Sequence, residues 1–421
     1  MEKNTRIPAH GGEYEINEYG KDSIKLDYSV NLNPLGIPAS IDALFKDSGA
    51  LSEMISHYPS LDHGDLISRL AEKRKVPKDW ILMGNGASEI ISLIAEGAGS
   101  PAAPGAQAAS APSKGPCAKA LIIEPTFSGY ERALSARGIK ILRYELNEAG
   151  NKFRSEAATK ASSSAPEAGA FALTEDIIGH IEENPVDMVF ACSPNNPTGR
   201  VIEPGLLKKL ADKCKELNTI LVIDECFMGF TKGNENANSL DSVKDANPRG
   251  CNSRSAAGLL RDNDHIILID AFTKLYSMPG IRLGYCICSN TALIKKMQDL
   301  TPEWNISAIA EAAGTAALSE DEYVQRAQEL IEKERAFLTK GLTNLGFTVY
   351  PSDANFILVK LPNGINSVSF YESMIKDHGI LLRNCSNFHG LDESFYRIAV
   401  KNHDENEALL ESLSRSLQGA Q

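Results

Sequence analysis

The sequence predicts an α/β protein built on a mainly parallel sheet flanked by helices in a large domain, with a smaller α/β domain at the C-terminal end. Two observations predict this. Short apolar runs of strand length alternate with helical patterns from about residue 81 to residue 290, the pattern of a parallel sheet covered by helices on both faces. A long helical pattern over Ser307–Asn344 then leads to two more strand-like runs and a last helix. The 421 residues suffice for two domains, and a 43% hydrophobic content supports a sizeable core. The expected division is an N-terminal arm with part of the small domain over 1–45, the large domain over 46–300 and the small domain over 301–421.

In chain order, Asp27-Tyr-Ser-Val-Asn-Leu-Asn-Pro-Leu-Gly36 begins extended and ends in an Asn-Pro turn. Leu66–Lys75 reads as a helix that stops before Pro77. Ile81-Leu-Met-Gly-Asn-Gly-Ala-Ser-Glu89 passes from strand through a glycine turn into a helix start. Ala120–Glu124 is a buried strand, with Pro-Thr-Phe127 and a helix from Gly129 after it. In the C-terminal part Asn355–Lys360 and Phe395–Val400 read as strands and Asp404–Leu417 as a helix. Three stretches, about 97–119, 147–169 and 233–264, lack periodicity and read as flexible surface insertions.

A net charge of −12 argues against non-specific binding to nucleic acid or anionic membranes, though a local cationic pocket remains compatible with it. The eight cysteines are scattered without a CxxC pair, so reduced thiols are expected and no metal site. Residues 1–20 are charged and polar and no run of 18 apolar residues occurs, so neither a signal peptide nor a membrane span is expected. These features predict a soluble, cytoplasmic protein.

The chemistry concentrates where strands end. Ser193-Pro-Asn-Asn-Pro-Thr-Gly199 is a tight turn after Met188–Cys192, and Leu221-Val-Ile-Asp-Glu225 ends in carboxylates. The run His265–Asp270 leads into a polar turn holding Thr273, Lys274 and Ser277, with Arg282 eight residues after the lysine. A lone lysine after a strand is ordinarily a solvated charge. Asn, Asp, Lys and Arg in this order supply what pyridoxal phosphate requires. These are a donor to its phenolate oxygen, an acid partner for its ring nitrogen, an amine for its aldehyde and a cation for its phosphate. Gly86-Ala87-Ser88 suits a phosphate at a helix N-terminus, although many strand-to-helix turns of this composition are only structural.

These segments resemble the fold-type I pyridoxal-phosphate enzymes, in the branch that holds histidinol-phosphate aminotransferases and threonine-phosphate decarboxylases. The resemblance runs from His10 to about Leu413 outside the insertions. It implies that Lys274 holds the cofactor and later transfers a proton, that Asp224 pairs with the ring nitrogen and that Asn196 donates to the phenolate oxygen. It further implies that Arg282, Thr273 and the backbone at Gly86, Ala87 and Ser88 hold the phosphate. Phe127 would stack on the ring, though a core-aromatic role also fits it. Tyr58, in His57-Tyr-Pro59, matches the tyrosine that reaches the phosphate from the partner subunit, which implies a homodimer with shared active sites.

Two positions depart from the common pattern. Ala271 stands where many relatives have Ser or Thr, three residues before the lysine, and Phe227 stands where aminotransferases usually have Tyr. The Phe227 form, the Ala9-His-Gly-Gly12 segment and the Leu382–Leu391 stretch resemble the decarboxylase branch. On that resemblance His10, Gly11 and Asn31, with Asn196, bind substrate, Arg397 clamps its carboxylate and Arg383 lies nearer its phosphate. The implied reaction is decarboxylation of L-threonine O-3-phosphate to the phosphoamino alcohol of cobamide assembly. Histidinol-phosphate aminotransferase and a phosphoserine decarboxylase are the alternatives, and a catalytically silent family member would have lost Lys274 or Asp224.

Overall fold

The computed structural model describes residues 11–12, 23–99, 119–148, 169–232 and 254–419. Its strands are β1 (Leu26–Asp27), β2 (Ile81–Gly84), β3 (Lys119–Glu124), β4 (Lys140–Glu145), β5 (Met188–Cys192), β6 (Ile220–Asp224) and β7 (Ile266–Ala271). Further along come β8 (Gly284–Ile287), β9 (Thr348–Val349), β10 (Phe356–Lys360), β11 (Ile380–Leu381), β12 (Arg383–Asn384) and β13 (Phe395–Ala399). Seven of them form the large sheet in the order β2-β8-β7-β6-β5-β3-β4.

The central strands are apolar up to their C-terminal ends, where Asp224 and Asp270 stand, because both faces are covered. Successive residues feed two separate cores: Leu121, Val189, Leu221 and Leu268 enter one, and Ile122, Phe190, Val222 and Ile267 the other. This is the period-two alternation of a strand applied to a sheet without a wet face. Each fully buried aliphatic side chain contributes about 1.5–3 kcal/mol. The parallel register sets Cys192 beside Asp224 and Asp224 beside Ile269. The C-terminal ends of β5, β6 and β7 are therefore level, and Asn196, Asp224 and Lys274 leave the sheet from one edge.

The second sheet, β12-β13-β10-β9, is antiparallel. Its apolar face packs in a core with the helices Asp321–Asn344, Ser367–Lys376 and His403–Gly419. The N-terminal segment joins this part of the molecule, since β1 pairs in parallel with β11.

Three features differ from the sequence reading. Strand β8 runs antiparallel to both neighbours, so the sheet is parallel only from β7 through β4. The helical pattern over 307–344 is two helices, Ala308–Ala317 and Asp321–Asn344. The chain leaves helical geometry at Glu320 and restarts with Asp321 and Glu322 in the first turn, where the helix dipole favours acids. Residues 254–264, read as part of an insertion, are ordered: Ala256, Ala257 and Leu260 are buried, in a turn too short to show a period. The remainder of the three insertions, 100–118, 149–168 and 233–253, lies outside the described residues.

Candidate active site

Lys274 lies in the short helix Phe272–Leu275, directly after β7. Its amine makes no hydrogen bond or ion pair with any described residue. Burial, and then the Arg397 guanidinium, pushes it down to about 8; Cys226 acts the other way and Arg282 adds a smaller push downward. An amine so placed is neutral to about a fifth near pH 7.4, far more than a solvated lysine, and the neutral form is the one that attacks an aldehyde.

Asp224 ends β6, and both of its oxygens are engaged. Oδ2 accepts from the Tyr130 hydroxyl at 2.6 Å, and Oδ1 accepts from the Cys226 amide at 3.0 Å. Burial and the Asp224 charge hold Tyr130 well above the usual tyrosine range, so it remains a donor. Tyr130 also meets Phe127 edge-on at 5.7 Å. The sequence reading missed Tyr130, although its place three residues after Phe127 at the start of a helix was the available signal.

Arg282 adopts a left-handed backbone (φ 59°). That turn carries its guanidinium over Gly86, where an added Cβ would stand 2.6 Å from Nη2. Gly86 itself has φ +79° and opens onto the N-terminus of the helix Ala87–Gly99, which also carries Ser88. Thr273 is buried one residue before the lysine. A glycine turn, helix N–H groups and a cation converge here, the donor set a phosphate takes.

Arg397 on β13 is 6% exposed. Its Nη1 donates to Asn196 Oδ1 at 2.5 Å, and its Nη2 to the Ser29 carbonyl at 2.7 Å. Its Nε is buried without a hydrogen-bond partner among the described residues, as is Asn31 Oδ1. Burial, and then Arg383, presses the Arg397 pKa downward. Arginine keeps its proton in proteins, so an incoming anion is what relieves that penalty. Arg383 stands directly across the ladder from Arg397, donating to Asn387 Oδ1 at 2.6 Å with its guanidinium 5.0 Å from the Phe388 ring centre. Opposed residues of an antiparallel pair share a face, so both arginines address one side of the sheet. Gly11 packs on Ser29; His10 lies outside the described residues.

Tyr58 is not part of this cluster. It is 81% exposed, and its ring meets Trp304 at 4.8 Å beside an open groove of about 650 Å³ lined also by Arg69 and Glu311. Behind the lysine turn lies a buried polar knot that the sequence did not reveal. Arg74 pairs with Asp270 and donates from Nε to the Tyr285 hydroxyl at 2.8 Å, and Glu225 accepts from Ser255 Oγ and Ala256 N, each at 2.6 Å. Among the described residues no cluster of His, Cys, Asp and Glu could hold a metal, and no helix is long and apolar enough to cross a membrane.

The aminotransferase class I and II family model matches residues 23–413. The chain belongs to this family. It is 32% identical over 395 residues to the threonine-phosphate decarboxylase of Salmonella typhimurium, covering 94% of this chain and 92% of that one. The crystal structure of the histidinol-phosphate aminotransferase from Clostridium acetobutylicum superposes with a TM-score of 0.74 at 29% identity, covering 94% of this chain and 99% of the other. That of the L-threonine-O-3-phosphate decarboxylase from Porphyromonas gingivalis gives 0.71 at 21% identity, covering 93% and 99%, a likeness of fold. Aminotransferase class I and II enzymes depend on pyridoxal phosphate. The residues present fit that group: a cradle at Gly86 that a Cβ would fill, a buried carboxylate at a strand end and an amine biased toward its neutral form.

Proposed function

We propose that this member of the family decarboxylates L-threonine O-3-phosphate to (R)-1-aminopropan-2-yl phosphate, the phosphoamino alcohol used in cobamide assembly. The observation that carries the reading is the cross-strand pair Arg383 and Arg397, two guanidiniums on one face. Such a pair suits a substrate with a carboxylate at one end and a phosphate at the other. The likeness to the Salmonella enzyme supports it.

Pyridoxal phosphate, when bound, supplies a sink for electrons released as a bond to the substrate's α-carbon breaks. Lys274, Asp224, Asn196, Phe127, Thr273, Arg282 and the turn Gly86-Ala87-Ser88 are the residues proposed to hold it. Arg397 is proposed to grip the substrate carboxylate through its unpartnered Nε edge and so set the orientation of the bond that breaks. Lys274, largely protonated at neutral pH with its pKa at about 8, is proposed to give a proton to the α-carbon after CO2 leaves. Phe227 presents no hydroxyl at the position where transaminases carry one, and its ring packs edge-on against Phe356 at 4.9 Å. Asn196 is then the main donor to the phenolate oxygen. His10, Gly11, Asn31 and Arg383 complete the proposed substrate site.

The same reading includes a cytoplasmic homodimer in which Tyr58 crosses to the partner's cofactor phosphate, in keeping with its exposed ring. It also includes the division at residues 45 and 300. Histidinol-phosphate aminotransferase is the second reading, favoured by the likeness to the Clostridium structure. One incubation decides between them: enzyme with phosphothreonine, phosphoserine and histidinol phosphate plus 2-oxoglutarate, scoring CO2 and glutamate separately. Faster glutamate formation than CO2 release would defeat the decarboxylase reading.

A further inference from the structure

We propose that Asn33 is a positioning residue for Lys274, holding the C-terminal carbonyls of the lysine turn at one end of a buried strap whose other end holds Arg397. The separation between the proton donor and the carboxylate clamp is then set by one stretch of chain, Ser29–Asn33. The inference rests on the decarboxylase reading above for what Lys274 and Arg397 do.

Lys274 sits in a helix of four residues. A single turn forms poorly on its own, and its last carbonyls find no partner inside the helix. Asn33 supplies partners from outside. Its backbone amide donates to the Lys274 carbonyl at 3.2 Å, which the Ser277 amide also reaches at 3.2 Å. Its Nδ2 donates to the Leu275 carbonyl at 2.8 Å. No described residue holds the lysine amine by a hydrogen bond, so its place is set by this backbone.

Asn33 is 3% exposed, and its own orientation is fixed. Oδ1 accepts from the Leu35 amide at 3.0 Å, which leaves the NH2 group toward Leu275. The Asn33 carbonyl accepts from Gly36 N at 3.1 Å, and the Tyr323 hydroxyl donates to the Gly36 carbonyl at 2.6 Å. Upstream the segment is irregular, with Ser29 and Asn31 buried, so its main-chain groups need partners on other elements. The Tyr28 carbonyl accepts from the Ala399 amide at 3.2 Å, and the Ser29 carbonyl accepts from Arg397 Nη2 at 2.7 Å. Between the two ends, the fully buried Asn355 donates from Nδ2 to the Asn31 and Leu32 carbonyls at 3.1 and 3.4 Å. One strap therefore grips Arg397, is braced in its middle and ends on the lysine turn. After burial, Arg397 is the largest charge effect on the Lys274 amine. Slackening at Asn33 would admit water to that amine and let it drift from Arg397, and both changes raise its pKa.

The test uses the full chain. Asn33→Ser keeps an uncharged oxygen for the Leu35 amide but is too short to reach the Leu275 carbonyl. Asn33→Asp keeps the shape and the Leu35 contact but turns an acceptor toward that carbonyl. In cofactor-free protein the Lys274 amine is labelled with acetic anhydride across pH and read by peptide mass spectrometry. The wild-type midpoint should lie at about 8, and in Asn33→Ser it should move up by about one pH unit. With cofactor and phosphothreonine, both variants should lose about tenfold in kcat with KM within about twofold, since Arg397 keeps its Ser29 acceptor. An unmoved labelling midpoint in Asn33→Ser, even with a lowered melting temperature, would make Asn33 structural only and overturn the proposal. Wild-type kcat in Asn33→Asp would overturn it equally, and that variant decides if Asn33→Ser fails to fold. If wild type releases no CO2 from phosphothreonine, the decarboxylase reading falls and the labelling still decides the role of Asn33.

Discussion

Tyr130 donates its hydroxyl proton to Asp224 Oδ2 at 2.6 Å and sets the edge of its ring against Phe127 at 5.7 Å. One side chain thus touches both the carboxylate proposed for the cofactor's ring nitrogen and the aromatic proposed to lie on its face. Neither contact is available from solvent, because Tyr130 is buried.

Replacing Tyr130 with Phe should leave the fold intact, since ring packing against Phe190 survives. It should cost about 1.5–3 kcal/mol in kcat/KM, the value of a hydrogen bond to a charged group. Asp224→Asn should cost several kcal/mol, because a charge is lost where electrons accumulate. Steady-state kinetics checks both, and activity within about twofold of wild type for either would make that residue structural.

The Lys274 amine, brought down to about 8, sets the pH at which cofactor-free protein captures pyridoxal phosphate. Below that value the neutral fraction rises about tenfold per pH unit and above it the fraction saturates. Stopped-flow absorbance should show a capture rate that climbs to about pH 8 and then levels. A rate still climbing at pH 10 would contradict the assigned environment. Lys274→Ala should remove turnover and covalent capture together, detected by borohydride trapping and mass spectrometry.

Gly86→Ala inserts a methyl group 2.6 Å from Arg282 Nη2 at a residue with φ +79°. The arginine must move and the backbone is strained, so cofactor affinity should fall about tenfold, about 1.4 kcal/mol. Equilibrium titration with pyridoxal phosphate measures it; undiminished affinity would take Arg282 out of the phosphate site.

Burial raises Glu225 from 4.5 to about 7, against hydrogen bonds from Ser255 and Ala256 and the charge of Arg74 that favour ionisation. The folded pKa lies above the unfolded one, so this group's stabilisation is complete below about 4.5 and lost as pH rises through about 7. Denaturant titrations of Glu225→Gln should therefore show a shallower decline of stability across that window than wild type. Parallel pH profiles would mean that Arg74 keeps Glu225 ionised throughout.

Arg397→Ala and His10→Ala should each lose most activity on phosphothreonine, chiefly through KM and misorientation of the substrate. The readout is the KM-against-kcat split. A variant with unchanged KM would remove that residue from the substrate site.

Asn196, Asp224 and Lys274 were legible because each follows an apolar run, and a parallel sheet delivers strand ends to one edge. Arg383 and Arg397 could be paired from their positions on adjoining extended segments, but not their exact register. Arg74 was not legible and Tyr130 left only its spacing from Phe127, because both reach the site from helices and which helix face meets which strand end depends on tertiary packing. The antiparallel course of β8 was equally hidden, since its buried run Gly-Tyr-Cys-Ile has the composition of its parallel neighbours. Ser29 escaped notice for another reason: its carbonyl does much of its work, and main-chain acceptors leave no mark in a sequence.

The facing arginines at positions 383 and 397 bear on the cohesion of the C-terminal sheet. Like charges directly opposed in an antiparallel pair repel, and here they occupy the short ladder between β12 and β13 at the sheet's edge. On the proposed function, the doubly anionic substrate is the counter-ion to that pair and fastens the edge strand as it is recognised. On that reading, occupancy of the site and the tightness of the sheet beneath it rise together, and the departing product leaves behind an edge that is again under repulsion.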